Sequence, residues 1–172
     1  LPFDEQRRRS LRYVFDRLPV VAREREPHFV LAHVLAPHPP FVFDAQGGAS
    51  RSPSTAMGDG EHWMKTSGID AMSYRRDYLA QLQYVSTRTL QALDAVRANA
   101  GRPTVVILQS DHGPGSELDW TSAVRSNLRE KLGILSAYCF PEGDTRDLYP
   151  AISPVNSFRL LMGRYFGQPM PL

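Results

Sequence analysis

Two short apolar runs, each stopped by a histidine-containing turn, place the strongest limits on how this chain can fold. Residues 28–35 form a near-continuous apolar run, and a Pro-His-Pro-Pro turn around His38 follows it. Residues 104–110 form a second run, rich in β-branched side chains, which ends at Asp111 and His112. Runs of this kind are typical of strands that are covered on both faces, and prolines do not continue a central strand. The sequence therefore predicts two buried strands whose carboxyl ends carry histidines.

The remaining periodicity predicts helices between and around these strands. Apolar residues recur at helical spacing over 3–24, 71–98 and about 155–166, and a shorter apolar run at 133–138 predicts a further strand. This alternation is typical of an α/β domain with a largely parallel sheet flanked by helices. Residues 44–70 are rich in Gly, Ser and Pro, and they are predicted to form a long loop.

Composition narrows the class of protein. The 172 residues, 42% of them hydrophobic, suffice for one globular domain. The formal charge of +2 gives no argument for nucleic-acid binding. The single cysteine, Cys139, excludes an internal disulfide framework and a cysteine-based zinc site. No apolar run is long enough to cross a bilayer, and the chain begins at Leu1, so we expect a soluble piece of a longer protein.

Asp111 and His112 are the first candidates for chemistry. A carboxylate and an imidazole at one strand end suit a divalent cation such as zinc, manganese or magnesium. Gly113, the next residue, allows the backbone to turn without crowding by a Cβ atom. The alternative interpretation is an aspartate that caps a loop beside a surface histidine.

His38 is the second candidate, because the prolines on both sides restrict its backbone. Its imidazole could donate to a phosphoryl or sulfuryl oxygen or bind a metal, or it could simply pack on Phe41 and Phe43. Sites in parallel sheets lie beyond the carboxyl ends of the strands. We therefore predict that His38 and His112 lie together in one site. His62, Trp63 and Lys65 are interpreted as part of a flexible surface segment, with substrate contact as the alternative.

Four segments together resemble bacterial sulfatase-like hydrolase/transferase proteins of the alkaline phosphatase superfamily. Residues 33–40 resemble their His-x-x-x-Pro-His-Pro-Pro segment, and residues 107–114 are similar to their metal-binding strand end. Residues 78–84 resemble the helix between these two segments, and residues 152–159 resemble a segment near the carboxyl end. The order and spacing agree over about 28–166.

The resemblance implies metal-assisted attack on a phosphate or sulfate ester. In that family a Thr, Ser or formylglycine nucleophile is held by a divalent metal, here Mn, Zn, Mg or Ca. By match of motif, Asp111 and His112 would be metal ligands. His38 would lie at the substrate oxygens or at a second metal position, with His33 beside it.

One part of the family pattern is missing. The family's nucleophile and its acidic metal ligands come from an earlier strand, whereas residues 1–27 offer only a helix-like segment. Residues 1–172 are therefore expected to form a single partial domain of alkaline phosphatase-like α/β fold that lacks its N-terminal strands. No catalytic residue is assigned within the chain, which alone should be inactive and bind metal weakly.

The resemblance also implies a setting. Many relatives carry transmembrane helices before this domain, which implies an extracytoplasmic domain of a bacterial membrane protein that acts on cell-envelope or glycan-type esters. The competing hypothesis is a catalytically inert domain that keeps the fold and serves as a binding module.

Overall fold

The computed structural model describes residues 3–52 and 58–171. Within these ranges the chain forms five helices and two strands, and it divides into two compact units. The first unit comprises Leu1–Arg102 and His112–Gly133, and the second comprises Pro103–Asp111 and Ile134–Leu172. In chain order the elements are α1 (Phe3–Val21), α2 (Gly60–Ser67), α3 (Ala71–Asn99), β1 (Val106–Gln109), α4 (Leu128–Leu132), β2 (Ser136–Cys139) and α5 (Pro154–Phe166).

Helix α1 confirms the helix predicted over residues 3–24, although it ends at Val21. Its apolar stripe buries Leu11 and Phe15 against α3. Pro19 already lies in the last turn, where its missing N–H removes a helical hydrogen bond and weakens continuation of the helix.

Helix α3 is the longest element of the first unit and confirms the predicted helix over residues 71–98. It begins at Asp70, whose carboxylate accepts a hydrogen bond from the Ser73 backbone N–H at 2.7 Å and so caps the helix. One end of α3 packs with α1, and the other carries Tyr74 into an aromatic cluster with Phe41 and Trp63. The helix therefore spans both hydrophobic clusters of its unit.

The region predicted as a loop over residues 44–70 contains a helix, α2. The side chain of Trp63 is fully buried in α2, with its ring centroid 5.0 Å from that of Phe41. The interpretation of Trp63 as part of a flexible surface segment is therefore wrong, because its ring lies in the hydrophobic core. Residues 53–57 of the predicted loop lie outside the described residues.

The predicted parallel sheet is not confirmed. The only ladder between named strands in the described ranges joins β1 to β2 in antiparallel register, with Val106 opposite Cys139. Residues 28–35 are not a strand in any described ladder, and Phe29 and Leu31 are more than three-quarters exposed. A short apolar run indicates an extended, apolar segment. It does not specify whether a neighbouring strand runs parallel or antiparallel to that segment.

In the second unit, α5 packs on the β1–β2 ladder through polar contacts. Gln109 Nε2 donates to Ser157 Oγ at 2.9 Å, and the hydroxyls of Tyr138 and Ser157 lie 2.6 Å apart. Ser153 caps α5 by accepting from the Asn156 N–H. No helix within residues 3–52 and 58–171 is both long and apolar enough to cross a membrane.

Candidate functional site

The rings of His38 and His112 lie together in the first unit. Their centroids are 6.1 Å apart and their planes meet at 62°. The two residues are far apart in the chain, so only the fold brings them to one place. The predicted proximity of the two histidine-containing turns is therefore present in the structure.

A buried amide from α3 holds the turn that carries His38. Gln81 is fully buried, and its Oε1 accepts from the backbone N–H groups of Val42 and Phe43 at 2.8 and 3.2 Å. Its Nε2 donates to the His38 carbonyl at 3.4 Å. The His38 Nδ1 lies 2.7 Å from the Pro39 carbonyl oxygen, which can only accept, so Nδ1 is the donor in this contact.

A close backbone approach sets the position of His112. The N–H of Gly113 donates to the Lys131 carbonyl at 2.8 Å. A Cβ atom on Gly113 would overlap the Glu130 carbonyl oxygen and lie 2.9 Å from that of Gly133. The turn after His112 is thus pressed against α4, which confirms the expectation that this position needs a glycine.

An ion pair that the sequence reading did not predict lies directly beside His112. The Lys131 ammonium is 3.0 Å from His112 Nδ1 and 2.7 Å from Asp59 Oδ2. The side chains of Lys131 and Asp59 are only 15% and 5% exposed. Tyr74 adds a hydrogen bond from its hydroxyl to Asp59 Oδ1 at 2.5 Å, and it accepts one from the Gly115 N–H at 3.1 Å. We call His38, His112, Lys131 and Asp59 the His–Lys cluster.

The electrostatics of the cluster keep Asp59 ionised. Burial acts to raise the pKa of Asp59, but hydrogen bonds from Lys131 and Tyr74 and the charge of Lys131 together hold that pKa below its usual value. The pKa of Tyr74 is raised strongly, first by burial and then by the neighbouring carboxylate. Burial also raises the pKa of Tyr78, with contributions from Asp59 and Glu130. The phenol of Tyr74 therefore stays a donor to Asp59.

The sequence carries only weak signals for these missed residues. Asp59 lies between Gly58 and Gly60, which indicates a turn rather than a site. Lys131 is one of only two lysines beside 18 arginines, which singles it out without saying what it contacts. Their contact spans 72 positions of the chain, so local pattern could not pair them.

The other predicted site residues are placed differently. His33 is exposed, and no hydrogen bond or ring contact joins it to His38 or His112 within the described part of the chain. Asp111 follows β1 and is grouped with the second unit, so the division of the chain falls between Asp111 and His112. His28 is exposed beside the Glu26 carbonyl.

A complete metal site is not formed by the residues that the structure describes. No three His, Cys, Asp or Glu side chains among them come together as a cluster that could hold a metal ion. Catalytic and structural metal sites normally use three or more protein ligands. The donors present here do not by themselves fit a tightly held divalent cation.

A groove of about 210 Å³ lies in the same unit. It is lined mostly by apolar surface and opens next to Pro114, two residues after His112. Its lining residues are Tyr74, Arg75, Tyr78, Leu79, Pro114 and Glu130.

The site gathers two imidazoles and a lysine ammonium at one place. A protein-family model described as Sulfatase matches residues 8–149. The chain therefore belongs to the sulfatase family, which generally uses a divalent metal and adopts an alkaline phosphatase-like α/β fold. Comparisons with curated proteins and with solved structures give no match.

Proposed function

We propose that this chain supplies the anion-binding part of a metal-dependent hydrolase or transferase that acts on phosphate or sulfate esters. The observation that carries the proposal is the meeting of His38, His112 and Lys131 in one cluster. An ammonium and two imidazoles suit the oxygens of an anionic ester, because the ammonium and any imidazole that carries a proton on Nε2 can donate a hydrogen bond to a negatively charged oxygen. The whole chain carries a formal charge of only +2, so this local concentration of donors is not the result of a generally basic composition.

The proposed roles follow from geometry and from family membership. His112, with Asp111 before it in the chain, is proposed as a metal ligand, and His38 as a contact to the ester oxygens. His33 is proposed as a weaker substrate contact, since it is exposed. No Ser, Thr or Cys of the chain is assigned as nucleophile, and we propose that the nucleophile and the further metal ligands come from residues outside this chain.

The setting is proposed from the resemblance alone. Relatives of this kind face the extracytoplasmic space of bacteria, and cell-envelope or glycan-type esters are the proposed substrates. The apolar groove beside Pro114 would accept the organic part of such an ester.

Ester turnover by the natural protein at its full length tests this proposal. Aryl sulfate, aryl phosphate and a bis-aryl phosphodiester would be assayed with Mn, Zn, Mg or Ca supplied. We expect turnover of at least one ester, reduced about a hundredfold by His38→Ala or His112→Ala. His28→Ala, at an exposed position away from the cluster, is the matched control and should keep the rate. Absence of turnover on all three esters with every metal would contradict the proposal.

A catalytically inert binding domain is the second candidate. The observation that favours it is that no group of three metal-ligating side chains comes together in the described ranges. Under this alternative the full-length protein binds inorganic phosphate or sulfate at His38 and His112 but turns over no ester. Metal-dependent turnover that is lost on Asp111→Ala would eliminate it.

A further inference from the structure

The groove beside Pro114 is small, and little of its lining is polar. Its volume of about 210 Å³ suits one six-membered ring with a short substituent, since drug-sized ligands occupy pockets of about 300–1,000 Å³. Apart from Arg75 and Glu130, its lining residues are aromatic or apolar. A ligand that fits the groove therefore buries mostly hydrocarbon, and the few polar atoms of the lining decide which ligand is preferred.

The two charged residues of the lining already have partners within the fold. Arg75 donates through Nε to Ser116 Oγ at 2.9 Å and forms an ion pair with Glu117. The buried Ser116 donates in turn to Glu130 Oε1 at 2.5 Å, and Glu130 Oε2 accepts from the Glu117 N–H at 3.3 Å. Both charges belong to one internal network, so the groove offers a ligand neither a guanidinium nor a carboxylate that lacks a partner.

The two tyrosine hydroxyls of the lining differ in their hydrogen bonds. Tyr74 Oη donates to Asp59 and accepts from the Gly115 N–H, so the hydroxyl is used both as donor and as acceptor. Tyr78 Oη forms no hydrogen bond within the described part of the chain. Burial and the charges of Asp59 and Glu130 raise the pKa of Tyr78, so its phenol keeps its proton at neutral pH. Tyr78 therefore brings an uncommitted hydrogen-bond donor to the groove.

We propose that Tyr78 is a specificity-determining residue that selects an uncharged, mostly apolar ring carrying one hydroxyl. The phenol donates to the oxygen of that hydroxyl, and the apolar walls of the groove cover the ring. A ring with several hydroxyls, such as a sugar, would leave most of them without a partner in this groove. The consequence for catalysis rests on the proposed function, since the ring would belong to the alcohol part of the ester whose acid part binds at the His–Lys cluster.

Binding of small probes to the chain tests this selection without metal or ester. Dissociation constants would be measured by NMR from the tyrosine ring signals, and benzyl alcohol should bind and shift the signals of Tyr78. Benzoate, benzylammonium and methyl glucoside, which are an anion, a cation and a sugar, should each bind more weakly than benzyl alcohol. Absence of benzyl alcohol binding, or tighter binding of any of the other three probes, would overturn the inference.

Three variants isolate the contribution of the Tyr78 hydroxyl. Tyr78→Phe keeps the ring and should weaken binding of benzyl alcohol about fivefold, the value of one net hydrogen bond between neutral groups, while binding of toluene stays unchanged. Leu79→Ala removes part of the apolar wall and should weaken both probes to the same extent. Tyr13→Phe, at an exposed position of α1, is the matched control and should change neither. An equal effect of Tyr78→Phe on benzyl alcohol and toluene would contradict the assigned role.

The probes separate this inference from the proposed function. A protein that turns over no ester, but whose affinity for benzyl alcohol falls in Tyr78→Phe, supports the inference and contradicts the proposed function. An active enzyme in which Tyr78→Phe leaves that affinity unchanged would overturn the inference alone. In an active enzyme, Tyr78→Phe should also lower kcat/KM about fivefold for an aryl ester that carries a hydroxymethyl group, relative to the same ester without it.

Discussion

Gly113 lies so close to the backbone of α4 that no side chain fits at its position. A Cβ atom would overlap the Glu130 carbonyl, and neither that carbonyl nor the Gly133 carbonyl is the end of a flexible side chain. Gly113→Ala should therefore lower the free energy of unfolding by roughly 1–3 kcal/mol, through overpacking. Gly101→Ala is the matched control, because nothing lies within 4 Å of its added Cβ. Equal stability changes for the two variants in urea unfolding would show that the turn does not press on α4.

The carboxylate of Asp59 links stability to pH. Its pKa lies below the ordinary value of about 3.9, so the native state favours the ionised form more than the unfolded state does. Its contribution is full above about pH 5 and is lost as the pH falls through the folded-state pKa. Asp59→Asn removes this titratable group. At neutral pH the substitution should lower the free energy of unfolding by roughly 3–5 kcal/mol, because the buried Lys131 ammonium loses its partner.

The difference in unfolding free energy between the unsubstituted chain and Asp59→Asn, measured by urea at several pH values, checks this. It should be constant above about pH 5 and shrink below about pH 4. A difference that grows as the pH falls would contradict a lowered pKa of Asp59 in the folded state.

At the scale of the element, α3 holds the His38 turn through one buried side chain. Gln81→Leu would leave the backbone N–H groups of Val42 and Phe43 without an acceptor, at a cost of roughly 1–3 kcal/mol for such a loss. Gln81→Glu keeps an acceptor oxygen and should lose less. Gln83→Leu, exposed on the same helix, is the control and should change stability little. If Gln81→Leu is as stable as Gln83→Leu in urea, α3 does not hold the turn in this way.

The elements that could be predicted are those whose signal is local. Helices α1, α3 and α5 repeat apolar residues over several turns and are capped or broken by residues with known preferences, as at Asp70 and Ser153. The five-residue helix α4 has no such repeat. Residues 28–35 have the apolarity of a strand, but strand pairing depends on a partner that the run itself does not specify.

At the scale of the whole molecule, the site could be predicted only in part. His38 and His112 stand out because proline and glycine mark the turns that carry them. Lys131 and Asp59 could not be paired from the sequence, because their ion pair joins parts of the chain 72 positions apart. A buried polar contact of that kind is a product of the fold, so it becomes visible only in three dimensions.

Metal binding by the chain alone should be weak. Asp111 and His112 offer at most two ligands, and a firmly held divalent cation normally has three or more protein ligands. Calorimetric titration with Mn²⁺ and Zn²⁺ should show no tight stoichiometric binding. Tight binding that is lost on Asp111→Ala would show that the missing ligands lie within this chain.

The most direct test of the account asks whether His38 and His112 bind an anion as one site. Inorganic phosphate and inorganic sulfate would be titrated into the chain while the ring signals of all five histidines are followed by NMR. We expect the signals of His38 and His112 to shift together with a single dissociation constant, while the exposed His28 does not move. Separate dissociation constants for His38 and His112, or a shift of His28 as large as theirs, would contradict the existence of a shared anion site.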